Sequence, residues 1–190
     1  MAANKYEDLF ITNVTAEQMK GRKYATIGFL DGNTFPGCNE YQVFWMGEEP
    51  YGVYDNPKGV WGEIFHGPHE HKYPEIFMHL GTDPANPYDL GAEVEMFVGP
   101  EMEKHVLTKS TIICLPAGLP HGPWRVMSVR RPFMVVTVNQ NGTHTEKARR
   151  DMVPEEMHER MLFLDQGYED EGIEPAFDWP KAAGERGKYI

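Results

Sequence analysis

A chain of 190 residues is within the usual size of one domain and long enough to bury a core without staples. Its composition, 41% hydrophobic and 25% charged, indicates neither disorder nor a membrane span, since no apolar run nears the roughly 20 residues that cross a bilayer. The formal charge of −11 argues against nonspecific binding to nucleic acid or anionic lipid, which depends on clustered Lys and Arg, and the pairs Arg130-Arg131 and Arg149-Arg150 are too short to offset it.

The first ten residues, "MAANKYEDLF", are polar and acidic where a secretory leader shows a basic start and an apolar run, so a cytoplasmic location is the expectation. "VTAEQMKGR" offers Thr15 as a cap with Gln18 one turn on, and predicts a short helix. From there the chain reads as β. "YATIGFL", "EYQVFWM", "GEIFH", "EIFMHL", "AEVEMFV", "HVLTKSTIICL", "WRVMSV" and "PFMVVTV" alternate with Gly, Pro, Asn and Asp, and strands at that spacing predict a sandwich or barrel. In "AEVEMFV" the period of two sets Glu93, Glu95 and Phe97 on one face and Val94, Met96 and Val98 on the other. "VPEEMHERMLFLD" places Pro154 near a first turn and Met157, Met161 and Leu164 at helical spacing, which predicts a C-terminal helix packed on the barrel. The tail that follows is polar and proline-punctuated and is expected to dock Phe177 and Trp179 on the domain or on a second subunit. The organisation expected is an N-terminal extension over 1–23, a β-barrel over 24–145 and a helix with its tail over 146–190. Cys38 and Cys114 make no disulfide framework, and Cys114, inside "TIICLP", reads as a small buried hydrophobe.

The densest chemistry lies in "HGPHEHKYPE", residues 66–75. Side chains two apart on an extended strand share a face, so His69 and His71 can approach one ion together, and Glu75 has the same parity. Pro74 cannot donate to a ladder, which suggests a bend that re-aims Glu75. Glu70 takes the opposite face, and His66 reads as a pocket-rim or solvent residue. A distant stretch, "LPAGLPHGPWR", turns at Pro116 and Gly118 and delivers His121 at the start of the next strand. Three imidazoles and a carboxylate suit a first-row divalent ion with positions left open for substrate. The bland reading of a single His66, His79 or His105 is an exposed or hydrogen-bonded side chain.

These two stretches resemble the paired motifs of the cupins: His69, His71 and Glu75 followed by Gly81 match the first, and Pro116, Gly118 and His121 the second. The similarity covers roughly residues 60–140. It departs at Glu63, Ser110 and Arg125, where the family often has Gly, Gly and Asn. The resemblance implies an all-β, double-stranded β-helix (cupin or jelly-roll barrel), to which the residue patterns above add a short N-terminal and a C-terminal helix. It also implies one divalent transition metal per chain (Fe, Mn, Zn or Ni) on His69, His71, Glu75 and His121, and a homodimer. The implied activity is on a small oxygenated, cyclic or carboxylate-bearing substrate. By frequency in the family the reaction is a dioxygenation. The alternatives are non-redox isomerase, lyase or hydrolase chemistry, or a metabolite-binding protein without catalysis. Glu75 is both ligand and catalytic candidate. Glu93 or Glu95 serves as general base if its face is inward, and as a solvated face or subunit contact if outward. Arg125, four residues after His121, shares its face on a straight strand and could hold a substrate oxygen, or else pairs with Glu93 or Glu95. Trp45, Trp61, Tyr73, Phe77 and Trp124 offer aromatic walls.

Overall fold

The computed structural model describes residues 26–46 and 65–168, together with Phe10. The short helix expected near Thr15, Trp61, Glu63 and the tail aromatics lie outside the described residues. Strands form within the stretches whose alternation predicted them, with "HVLTKSTIICL" dividing into two, and also in short pieces elsewhere. These are β1 (Thr26–Leu30), β2 (Glu40–Met46), β3 (Phe65–His66), β4 (His69–Glu70), β5 (Glu75–Gly81), β6 (Asp89–Val98) and β7 (Glu103–Lys109). They continue with β8 (Thr111–Leu115), β9 (His121–Val129), β10 (Phe133–Asn139), β11 (Glu146–Ala148), β12 (Met161–Leu162) and β13 (Asp165–Gln166). One sheet runs β1-β2-β10-β5-β8, and the second runs β12-β3-β9-β4-β11-β13 with β6 joined to β9 and β7 to β6.

In chain order the main strands switch repeatedly between these sheets: β2 in the first, β4 in the second, β5 in the first, β6 and β7 in the second, β8 in the first, β9 in the second, β10 in the first. That winding is a double-stranded β-helix, the cupin fold, in which two facing sheets enclose one interior. Among the described residues no helix is long and apolar enough to cross a membrane.

The register sorts the interior into layers. One row crosses Glu40, Asn139, Glu75 and Leu115, the next Gln42, Thr137, Phe77 and Ile113, and the third Phe44, Val135, His79 and Thr111. The first sheet is therefore polar inside at one end and apolar toward the other, where Met46, Phe133, Val94 and Val126 close the core. A polar end in an otherwise apolar barrel marks where chemistry is housed, because buried polar groups cost free energy unless partnered.

Two expectations are corrected. No C-terminal α-helix forms over "VPEEMHERMLFLD": Glu155–Arg160 is a 3-10 helix, and Met161 and Leu162 then pair in parallel with Phe65 and His66. The open edge of β3 captures this segment, and the Leu162 carbonyl accepts the Gly67 N–H at 2.8 Å, so ladder pairing overrides a helical spacing carried by few residues. Cys114 is exposed and free, not buried, because it has the outward parity of β8 while Leu115 points in.

Candidate metal centre

The histidines meet at the polar end of the barrel. His69 on β4 stands in register with His121 on β9, His71 follows β4 directly, and Glu75 opens β5. The turn of the second motif clamps the first: the Gly118 N–H, in the left-handed region at φ 72, donates to the His71 carbonyl at 2.8 Å. Ligand atoms of His69, His71 and His121 lie within 4.8 Å of one another. The Glu75 Oε2 is 3.4 Å from the His71 Nε2 and 3.3 Å from that of His121, and all four side chains are buried.

Each ring is held by the same device. The Nδ1–H of His69 donates to the Gly67 carbonyl at 2.8 Å, that of His121 to the Leu119 carbonyl at 3.0 Å, and that of His71 to the Thr145 carbonyl. A carbonyl only accepts, so each Nδ1 carries a proton and each Nε2 is the atom left for a metal ion or a second proton. The Nε2 atoms of His71 and His121 are buried without a hydrogen-bond partner, and both face the Glu75 carboxylate. Buried lone pairs with no donor, converging on an anionic oxygen, are the donor set of a divalent transition ion, and carbonyl-anchored imidazoles are how such ligands are oriented.

The electrostatics agree. Burial works against ionised Glu75, but His71 and His121 beside it hold its carboxyl well below the usual range. Burial also disfavours a charged His71, yet Glu75 outweighs it and lifts the group to about 9. A proton there and a bound cation compete for the same Nε2 lone pair. Burial and the neighbouring His66 keep His69 neutral, its value well below that of ordinary histidine.

Gly122 is required next to His121. Its φ is +86, and a Cβ there would stand 2.9 Å from the Gly67 carbonyl oxygen and 3.5 Å from the His69 Nδ1, the pair that anchors that ring. Gly122→Ala is expected to lower metal affinity about 10- to 100-fold, as losses of ligand-orienting contacts do, read by competition with a chromophoric chelator. Below the centre the interior turns aromatic: Phe77, His79 and Trp124 pack together, and the Trp124 Nε1–H donates to the His79 Nε2 at 2.8 Å. Burial pushes His79 down to about 3, so it is a neutral, hydrogen-bonded core histidine.

Glu93, Glu95 and Arg125 are not brought to the histidines. On β6 Val94 and Met96 point into the core, which turns Glu93 and Glu95 outward, and Glu93 is exposed. Arg125 does not share the face of His121, because a bulge sets three residues of β9 against two of β6: Val98 opposes His121 while Met96 opposes Trp124. A one-residue slip exchanges faces, so Trp124 inherits the inward position and Arg125 faces out. There it pairs with Glu95 at 3.0 Å and lies over the Phe97 ring at 5.1 Å, while Lys104 reaches Glu95 at 3.0 Å. Arg125→Ala should leave metal content unchanged and, because its partner Glu95 is buried and keeps only Lys104 among the described residues, cost about 1 to 3 kcal/mol, measured by elemental analysis and thermal unfolding.

Further buried groups, which the sequence reading does not single out, back the histidines. Glu146 on β11 is 0% exposed, and its carboxylate accepts from the His66 Nε2 at 2.6 Å and from the His144 Nε2 at 3.0 Å. His66 stacks on His69 at 4.1 Å, and His144 meets His71 edge-on at 5.2 Å. His66 is thus no solvent residue but a brace between Glu146 and a metal-ligand position. Glu40, 1% exposed, places its Oε2 3.7 Å from the His144 Nδ1, and that oxygen has no hydrogen-bond partner. The spacing of His144 and Glu146 repeats the two-residue spacing of His69 and His71, and was the available signal. Glu70, as its parity required, faces away and pairs with Arg149 at 2.9 Å.

No family profile and no curated protein matches the chain. Solved structures with similarity include the DMSP lyase DddQ from Ruegeria pomeroyi, at 18% identity and TM-score 0.39, covering 73% of this chain and 56% of that one. A recombinant oxalate oxidase in complex with glycolate has 17% identity and TM-score 0.41, covering 74% and 64%. An uncharacterized conserved protein with a double-stranded β-helix domain from Klebsiella pneumoniae has 12% identity and TM-score 0.39, covering 77% and 96%. The chain spans less than two thirds of the length of the first two.

Proposed function

We propose that this chain is a metal-dependent cupin enzyme. It binds one divalent transition ion through His69, His71, Glu75 and His121 and acts on a small oxygenated organic substrate. The observation that carries the reading is the pair of buried, unpartnered Nε2 atoms of His71 and His121 converging on Glu75. A bound ion of this kind supplies Lewis acidity toward substrate oxygens, or engages dioxygen where it is redox-active. The protein does the rest. Three backbone carbonyls fix the imidazole orientations, Glu75 supplies negative charge, and Phe77 and Trp124 give the apolar surface on which a substrate ring or chain lies.

For the reaction we favour a dioxygenation. The proton-transfer alternative needs a base at the site, and Glu93 and Glu95 face outward. One observation nevertheless supports it: Glu40 opens the row that ends at Glu75 and Leu115, and its Oε2 is a bare buried carboxylate oxygen. Oxygen uptake with a panel of catechols, hydroxy-ketones and keto-acids separates the two. Substrate-dependent uptake supports oxygenation. Turnover under strict anoxia that Glu40→Gln abolishes, with metal still bound, replaces oxygenation by isomerase, lyase or hydrolase chemistry on Glu40.

A further inference from the structure

The strand that carries the histidines of the first motif is broken. β3 and β4 both pair antiparallel with β9, His66 opposite Trp124 and His69 opposite His121, and Gly67 and Pro68 interrupt them. Each half is two residues long, so pairing with β9 alone gives it little to hold it. His69 follows the break directly, and its ring is anchored on the Gly67 carbonyl inside the break. Bending at that point moves a metal-ligand position.

The C-terminal segment spans this break. Met161 and Leu162 (β12) pair with β3, while Asp165 and Gln166 (β13) pair with β11, which itself pairs with β4. Between them Phe163 sits on Gly67. A Cβ at residue 67 would stand 2.4 Å from the Phe163 Cε1, so the place is open to the ring only because that residue has no side chain. The Leu162 carbonyl accepts the Gly67 N–H at 2.8 Å, and the Gly67 carbonyl accepts the His69 Nδ1–H at 2.8 Å, so a single residue links the segment to the imidazole. Phe163 is itself held. The Arg150 guanidinium lies over its ring at 5.0 Å and donates to Asp165 at 2.8 Å, and His158 meets the ring edge-on at 5.3 Å.

We propose that residues 161–166 splint the broken strand and position His69, with Phe163 as the positioning residue, so that metal occupancy and docking of this segment are coupled. The proposal rests on the metal-centre reading above and adds to it a part of the chain that supplies no ligand. The ion needs the His69 ring in one orientation. Gly67, fixed by Phe163 and Leu162, holds that orientation before the ion arrives, so less ordering remains to be done on binding. Such coupling is reciprocal: a segment whose docking tightens the ion is itself held more tightly when the ion is bound.

Zinc affinity, read by competition with a chromophoric chelator, should fall about 10-fold or more in Phe163→Ala. Phe163→Leu, which keeps an apolar body on Gly67, should stay within about 3-fold of the wild type. Met46→Ala removes buried volume from the apolar core without touching the break and should stay within about 2-fold. An unchanged affinity in Phe163→Ala overturns the proposal, and so does an equal loss in Met46→Ala, which would make the effect one of stability alone. The wild type carries the reciprocal test: zinc should slow hydrogen exchange of the Gly67 amide and of the peptide over 161–167 by about 10-fold or more, relative to a β7 peptide. If Phe163→Ala does not fold, this measurement decides, and exchange that zinc leaves unchanged overturns the coupling. Zinc absent from the wild type is a different failure, because it removes the metal centre itself. Zinc held equally with and without Phe163 leaves the centre standing and refutes the splint.

Discussion

Purified protein should carry about one transition-metal ion per chain, and His121→Ala should release it. The expectation rests on geometry: the unpartnered Nε2 atoms of His71 and His121 stand 3.4 and 3.3 Å from the anionic Glu75 oxygen in a buried site, with His69 beside them. Taking away one imidazole leaves the others with an incomplete shell, and His66 and His144, whose rings pack on His69 and His71, are tied to Glu146. Metal per chain, measured after exhaustive dialysis, should fall from near one to below about a tenth. His105→Ala, at an exposed position on β7, should keep the ion. An ion that binds only the folded chain stabilises it by about 2.7 kcal/mol at a free concentration 100 times its Kd. At about 2 to 4 °C per kcal/mol for a chain this size, chelation should lower Tm by about 5 to 10 °C in the wild type and not at all in His121→Ala. Full occupancy of His121→Ala would remove the centre from these residues.

The parts of this arrangement that were legible in the sequence are those set by local periodicity. His69 and His71 share a face because side chains two apart on a strand do, and Glu40–Met46 is a strand over the length its alternation spans. The burial of Val94 and Met96 with Glu93 turned outward follows from the same rule. Where the rule needed a straight strand, it failed. Counting four residues on a straight strand sets Arg125 beside His121, but a bulge between Val98 and Met96 puts Trp124 there, and the alternative pairing of Arg125 with Glu95 is the one that forms. A bulge is a property of the pair of strands, invisible in either strand alone. The helix over "VPEEMHERMLFLD" fails for a related reason: the helical spacing of Met157, Met161 and Leu164 is real, but the edge of β3 offers Met161 and Leu162 ladder bonds that no local signal announces. Glu146 lay 71 residues beyond Glu75 in sequence, and only β11 pairing with β4 brings it to the histidines.

Glu146 is also where substitution should cost the fold most. Its carboxylate is 0% exposed and holds two imidazoles, and removing one partner of a buried, hydrogen-bonded pair costs about 3 to 5 kcal/mol, more than the pair itself contributes. Glu146→Ala should therefore lower Tm by about 6 to 20 °C, whereas Glu146→Gln, which keeps the volume and one hydrogen bond, should cost about 1 to 3 kcal/mol. The pH dependence gives a second readout. Burial opposes ionisation of Glu146, but His66 beside it and the hydrogen bonds from His144 and His66 hold its carboxyl far below the ordinary 4.5. A carboxyl depressed in the folded state contributes stability that is fully present above its unfolded value and is lost as the pH falls below it. The wild type should thus lose stability progressively below about pH 5, and Glu146→Gln should lose less over the same window. The metal readout separates bracing from simple packing. His66 stacks on His69 only while Glu146 holds it, so Glu146→Gln, still folded at 25 °C, should bind the ion about 10- to 100-fold more weakly. Unchanged affinity in a destabilised variant would make Glu146 a core residue of the barrel and nothing more.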